Sequence, residues 1–173
     1  MLPRIVVFGC GNPSRGDDAL GSLLLERVEA WRAERPDLDV RCVADFQLQI
    51  EHALDLSDRD LALFVDADAS CAPPFVLRRV APVAGTSHST HALSPGAVLH
   101  VYRTATGETP PPAWVLGVRG DEFELGDPLS PTAAGYLEAA WLEMRAMLQR
   151  PDAEAWDARL HAARTTKVAL QAP

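Results

Sequence analysis

Apolar residues along this chain fall into two alternating patterns, short unbroken runs and runs at helical spacing. Ile5-Val6-Val7-Phe8 is an unbroken run, and Leu20, Leu24, Val28 and Trp31 follow it at helical spacing. Val40 to Ala44 reads as a second strand, and Gln47 to Leu56 as a short helix with Leu48, Ile50, Ala53, Leu54 and Leu56 as its apolar set. Leu61-Ala62-Leu63-Phe64-Val65 is continuous, as expected for a central strand covered on both faces, and it ends at Asp66-Ala67-Asp68. Phe75 to Val80 predicts a fourth strand, Pro95 to Tyr102 a helix, and Trp114 to Val118 a fifth strand, with a glycine- and proline-rich turn over Thr106 to Pro112. Ser130-Pro131 supplies a serine cap and a proline at the first helical position. The helix opened there carries Ala134, Leu137, Trp141, Met144 and Leu148 on one face, and Pro151 ends it.

This alternation predicts a single-domain α/β fold, a three-layer sandwich with helices on both faces of a mostly parallel five-stranded sheet. One strand is expected to run antiparallel. The link from Asp66 to Phe75 contains Pro73 and Pro74 and is too short for a helical crossover, so the third and fourth strands, if neighbours, run antiparallel. Residues 1–150 form the α/β domain in this reading. Residues 151–173 form an appended helix and a loose C-terminal tail with no core of their own. No internal repeat or domain linker is visible. In such sheets sites form beyond the carboxyl ends of the strands. In a flavodoxin-like order the first and third strands are neighbours, which brings Asp17 and Asp18 to one crevice with Asp66 and Asp68.

The turn Gly9-Cys10-Gly11-Asn12-Pro13-Ser14-Arg15-Gly16-Asp17-Asp18-Ala19-Leu20-Gly21 joins the first strand to the first helix. Asp17 or Asp18 is expected to cap the free N–H groups of the first helical turn. One cap needs one carboxylate, and the surplus acid points to chemistry. The second candidate segment is Ser87-His88-Ser89-Thr90-His91-Ala92-Leu93-Ser94-Pro95, after the fourth strand. A lone surface histidine is ordinarily incidental. Joined to two carboxylates, one imidazole makes a hard-to-borderline donor set suited to a divalent first-row metal such as nickel or zinc. With no cysteine pair or HExxH motif, such a set binds metal weakly by itself.

Other chemistries fit less well. The turn lacks GxxxxGK[ST], and two acids at a helix start repel phosphate. Gly9-x-Gly11 is followed by Ser14 where the dinucleotide fingerprint needs a third glycine, and no GxSxG elbow marks Ser89 or Ser94 as a nucleophile. The 173 residues, 47% hydrophobic, suffice for one domain with a full core. A net charge of −8 argues against nucleic acid or an anionic membrane as partner. No run reaches the length of a membrane span, and the start Met1-Leu2-Pro3-Arg4 leads into too short an apolar run for a signal peptide. Cys10, Cys42 and Cys71 form no CxxC pair, which suggests reduced thiols in a reducing cytoplasm.

The Gly-x-Gly-Asn…Asp-Asp-x-x-Gly segment, the strand ending in Val65-Asp66-Ala67, and the Ser-x-His loop together resemble the [NiFe]-hydrogenase maturation proteases. The resemblance runs from about Ile5 to Leu148, with all three segments in order. These endopeptidases remove a C-terminal extension from the hydrogenase large-subunit precursor once nickel has been inserted. The resemblance implies an α/β sandwich and three metal-contacting side chains, matched here by Asp18, Asp66 and His91. Some members carry glutamate at the first of these, so aspartate draws the carboxylate back by about one methylene. Members often have proline where Thr90 stands. Asp68 and His88 are extra potential ligands with no clear family equivalent. Phe46-Gln47-Leu48-Gln49 departs from a glycine-containing stretch common at that place, which suits a different hydrogenase partner.

The mechanism the resemblance implies borrows its metal. Nickel already held by the precursor's cysteines is completed by Asp18, Asp66 and His91, and the free protein holds it weakly or not at all. The metal then either polarises the scissile carbonyl or activates a water, or it serves recognition alone while a carboxylate acts as general base. The expected partner is the precursor, met by a monomer in the cytoplasm, with no nucleic acid and no membrane. A nickel-binding accessory protein that holds the precursor without cutting it is the alternative. A small-ligand binding module, its acids caps and its histidines solvated, is a third.

Overall fold

The computed structural model describes residues 2–84 and 92–160. Its strands are β1 (Ile5–Cys10), β2 (Val40–Asp45), β3 (Leu61–Asp68), β4 (Phe75–Val80) and β5 (Ala113–Arg119). Its α-helices include α1 (Leu20–Ala33), α2 (Pro95–Thr106) and α3 (Pro131–Gln149), and 3₁₀ turns cover Gly16–Ala19 and Ile50–Leu56. The five strands lie in the order β2-β1-β3-β5-β4. β1 pairs in parallel with β2 and β3, β3 pairs in parallel with β5, and β4 runs antiparallel to β5.

The expected antiparallel strand is β4, and its condition is not met: β3 and β4 are not neighbours, because β5 lies between them and is the antiparallel partner of β4. The short link after Asp68 steps across two strand spacings, about 10 Å. That leaves a slot whose free backbone groups on both sides are satisfied when β5 enters it. The predicted helix over Gln47 to Leu56 is a 3₁₀ turn starting at Ile50. With three residues per turn, Ala53 and Leu56 share the buried side and Leu54 faces away at 70% exposed, while Ile50, at the start of the turn, is 62% exposed.

Side chains alternate across the sheet and so build two cores. Ile5, Val7, Leu63 and Val65 pack with Leu20, Leu24 and Val28 of α1 and with Leu137, Met144 and Leu148 of α3. On the other face Val6, Phe8 and Phe64 pack with Ala53 and Leu56 and with Val98 and Leu99 of α2. Each fully buried Leu or Phe contributes about 1.5–3 kcal/mol. Ser94 caps α2 by accepting from the Ala97 N–H, and Ser130 caps α3 by accepting from the Ala133 N–H. Residues 153–160 are helical, and Trp156 there is fully buried, its ring edge-on to Trp114 at 4.9 Å. The tail expected beyond lies outside the described residues. No helix among the described residues is long and apolar enough to cross a membrane.

Candidate functional site

The glycines of the first turn let α1 sit on the ends of the central strands. Gly11 has φ +127°, and a Cβ there would stand 2.0 Å from the Asp18 carbonyl oxygen. A Cβ on Gly21 would stand 2.1 Å from the Cys10 carbonyl oxygen and 2.9 Å from that of Val65. Only glycine permits this approach, which seats the start of α1 over the carboxyl ends of β1 and β3. Asp18 is held at that spot by the Asn12 N–H, which donates to its Oδ2 at 2.8 Å. Asp66 lies one residue past the Gly9–Val65 pair of the β1–β3 ladder, and its Oδ1 accepts from the Ala67 N–H at 2.8 Å.

Both carboxylates line one cavity of about 390 Å³, with Phe46 and Leu48 on one side, Ala92 and Leu93 on another, and Arg78 and Gly117 along the sheet. Crowding by the cavity walls pushes the Asp66 carboxyl up to about 7, and the charges of Asp18 and Asp68 add to that against the Ala67 hydrogen bond. Cys10 lines the same cavity. Burial, reinforced by Asp66, Asp45 and Asp18, raises its thiol to about 12, so it carries no thiolate near neutral pH and is no nucleophile. All three cysteines are free.

The other member of each acid pair is structural. Asp17 is 1% exposed and accepts from the N–H groups of Asp121, Glu122 and Ser130 and from the Ser130 hydroxyl. The expectation that Asp17 or Asp18 caps the first helix is therefore corrected, since neither side chain caps Gly16–Ala19 or α1. Asp17 instead fastens the segment leading into α3. Burial opposes its ionisation, but the four hydrogen bonds outweigh that and hold its pKa below the ordinary carboxylate value. Asp68 accepts from the Ser70 N–H and hydroxyl and the Cys71 N–H, and pairs with Arg78 at 3.2 Å. Here too burial raises and the hydrogen bonds lower, with a net lowering.

The structure thus brings Asp18 and Asp66 together, while His91 and His88 lie outside the described residues. Among the described residues no cluster of three or more His, Cys, Asp or Glu side chains could hold a metal. The sequence reading gave no site role to Arg78, and it tied Phe46 and Leu48 to the choice of partner rather than to the walls of this cavity. Arg78 shares one face of β4 with Val76 and Val80, and its place on the cavity follows only once β4 is known to be an edge strand beside β5.

No protein-family model and no curated protein sequence matches the chain. Solved structures do match it. The hydrogenase maturating endopeptidase HybD from E. coli is 28% identical over 86% of this chain and 93% of that one, with a TM-score of 0.65. The solution structure of an endopeptidase from Escherichia coli is 26% identical with the same coverage and a TM-score of 0.65. The [NiFe] hydrogenase maturation protease HycI from Thermococcus kodakarensis KOD1 shares the fold at 24% identity, with a TM-score of 0.66 over 86% of this chain and 94% of that one. The resemblance to hydrogenase maturation proteases read in the three sequence motifs therefore extends to the fold of most of the chain.

Proposed function

We propose that this chain, a hydrogenase maturation endopeptidase by likeness of fold and sequence, removes the C-terminal extension of a [NiFe]-hydrogenase large-subunit precursor after nickel insertion. The observation that carries the reading is the pair Asp18 and Asp66, on two different elements, meeting in one crevice with most of their lone pairs unused by the described residues. Each accepts one backbone hydrogen bond, against the saturated Asp17 and Asp68 beside them.

The apolar walls at Phe46, Leu48 and Leu93 take the extension and displace water from it. Asp18 and Asp66, with His91, complete the coordination of the nickel that the precursor's cysteines already hold. That nickel belongs to the substrate, and it supplies either a Lewis acid for the scissile carbonyl and its attacking water or a recognition element alone. In the second case Asp66, titrating at about 7, serves as the general base near neutral pH. Either way a precursor without nickel gains no bridge to the carboxylates and is spared. The same reading has the chain act as a monomer in the cytoplasm.

The test is mass spectrometry of the host's own precursor, nickel-loaded and nickel-free, incubated with the protein. Loss of a C-terminal peptide from the loaded sample only is the expected result, with Asp18→Ala folded and inactive. A stoichiometric complex with the loaded precursor and no mass change would replace the protease by the non-cleaving accessory protein. Normal cleavage by folded Asp18→Ala would remove the site assignment.

A further inference from the structure

His52 is 8% exposed, one of three buried polar or charged residues among the described residues, with Asp17 and Ser130. Those two bond each other, and His52 bonds neither. Its Nδ1 accepts from the Gln49 N–H at 2.8 Å, so in the neutral ring the proton sits on Nε2. Nε2 stands 3.4 Å from Asp45 Oδ2, and the ring lies edge-on to Phe8 at 6.0 Å. Asp45 ends β2. Its Oδ1 accepts from the Phe46 N–H at 2.6 Å, and its carbonyl oxygen accepts from the Gly11 N–H at 3.1 Å.

The imidazole therefore holds both ends of Phe46–Gln49, one directly and one through Asp45. That segment has no strand or helix ladder of its own, and while Leu48 is buried in the core, Phe46 is 64% exposed, so packing anchors it at one point only. Midway along it, the Leu48 carbonyl oxygen accepts from the Leu93 N–H at 2.9 Å. Leu48 and Leu93 both line the crevice, as adjoining stretches of its wall. A single hydrogen bond thus transmits the position of one stretch to the other, at a residue two places after His91.

We infer that His52 is a positioning residue for the crevice, setting the Phe46–Leu48 wall through Gln49 and Asp45, and the Leu93 wall through Leu48. The inference rests on the proposed function in that it takes this crevice to be where the precursor's extension lies. A plain buried cap would stabilise the 3₁₀ turn and leave the Leu93 stretch alone. A positioning residue controls both.

Amide hydrogen exchange on the full chain separates the two. In His52→Ala the Leu93 amide should exchange about tenfold faster while amides of β1 and β3 keep their rates. Turnover of the nickel-loaded host precursor should fall about tenfold in kcat with a smaller change in KM, as expected for misplacement rather than lost affinity. His52→Asn places an amide oxygen near the position of Nδ1, keeps an acceptor for Gln49, and should restore most of both. Unchanged Leu93 exchange in His52→Ala, or no rescue by His52→Asn, overturns the inference. Should His52→Ala lose the protection of β1 and β3 as well, His52→Asn is read by itself. Wild-type Leu93 exchange then supports the assignment, and faster exchange or global loss of protection overturns it. If the wild-type protein processes no precursor, the exchange measurements still decide the positioning role, and only the functional reading fails.

Discussion

On one side of the Gly16–Ala19 turn, Asp17 faces the segment from Asp121 to Ser130 and spends its oxygens on three N–H groups and a hydroxyl. On the other side, Asp18 faces the crevice and accepts one N–H, from Asn12. The pair across the crevice divides the same way. Among the described residues Asp68 is filled by Ser70, Cys71 and Arg78, while Asp66 accepts only from Ala67. Identical side chains one or two residues apart therefore differ in what they can still do. A carboxylate whose lone pairs are all taken is a staple. One with lone pairs left over, in a crevice beside another acid, is available to a ligand. The hydrogen-bond tally, and not the residue type, separates structure from candidate chemistry here.

The largest expected effect breaks this comparison directly. Asp18→Ala and Asp66→Asn should each slow precursor processing by about 10²–10⁴-fold, with melting temperatures near that of the wild type. Asp17→Ala should do the reverse. It strands the buried Ser130 N–H and the part-buried N–H groups of Asp121 and Glu122, and should cost about 3 kcal/mol, or about 6–12 °C in Tm, as read by calorimetry. If Asp17→Ala melted like the wild type, the staple reading would be wrong. If Asp18→Ala melted far lower, so would the crevice reading.

The pH dependence sharpens the same contrast, because the two acids shift in opposite directions. Asp17 is held below the ordinary carboxylate pKa, so its stabilisation is present above about pH 4 and is lost as pH falls through its folded value. Asp66 titrates at about 7 in the folded chain, so its protonated form contributes stability below about pH 4 that is lost as pH rises through 7. Asp66→Asn cannot lose its proton. Relative to the wild type it should therefore gain stability between pH 5 and 8, by less than about 1 kcal/mol because the crevice is open to solvent. Denaturant midpoints at the two pH values measure the gain. A loss over that interval would mean the Asp66 shift has the opposite sign.

Most of the scaffold was legible in the sequence because its signals are local. Apolar runs mark β1 and β3, and Ser94-Pro95 and Ser130-Pro131 mark helix starts whose caps form in the structure. The place of β5 was not legible. Nothing in Phe75 to Val80 says whether its partner is the preceding strand or one still to come, and that choice belongs to the backbone groups left free between strands. The site divided similarly. Spacing and strand order bring Asp18 and Asp66 to one crevice, but residue type and spacing alone do not distinguish Asp17 from Asp18, a choice made only by the family resemblance, since the donors that fill Asp17 lie more than a hundred residues away. His52 escaped notice for a related reason. Its partners Gln49 and Asp45 are near in sequence, yet its bearing on the crevice depends on Leu93.

The smallest effect is the most diagnostic for the pair itself. The Asp18 charge is one of the causes that raise Asp66, second to crowding by the cavity walls, and Asp17 is not among them. Removing the charge of Asp18 while keeping its shape, in Asp18→Asn, should move the Asp66 midpoint downward from about 7. It should stay above the ordinary carboxylate value, because the walls remain. Asp17→Asn, one residue away along the chain, should leave that midpoint in place in whatever fraction stays folded. Carbon-13 NMR of the aspartate carboxyl groups across a pH titration reads both variants. Two equal shifts would mean that Asp66 senses the net charge of the whole turn, and the two acids would then be interchangeable electrostatically. A shift in Asp18→Asn alone would mean that Asp18 and Asp66 face each other across the crevice, as a shared ligand site requires.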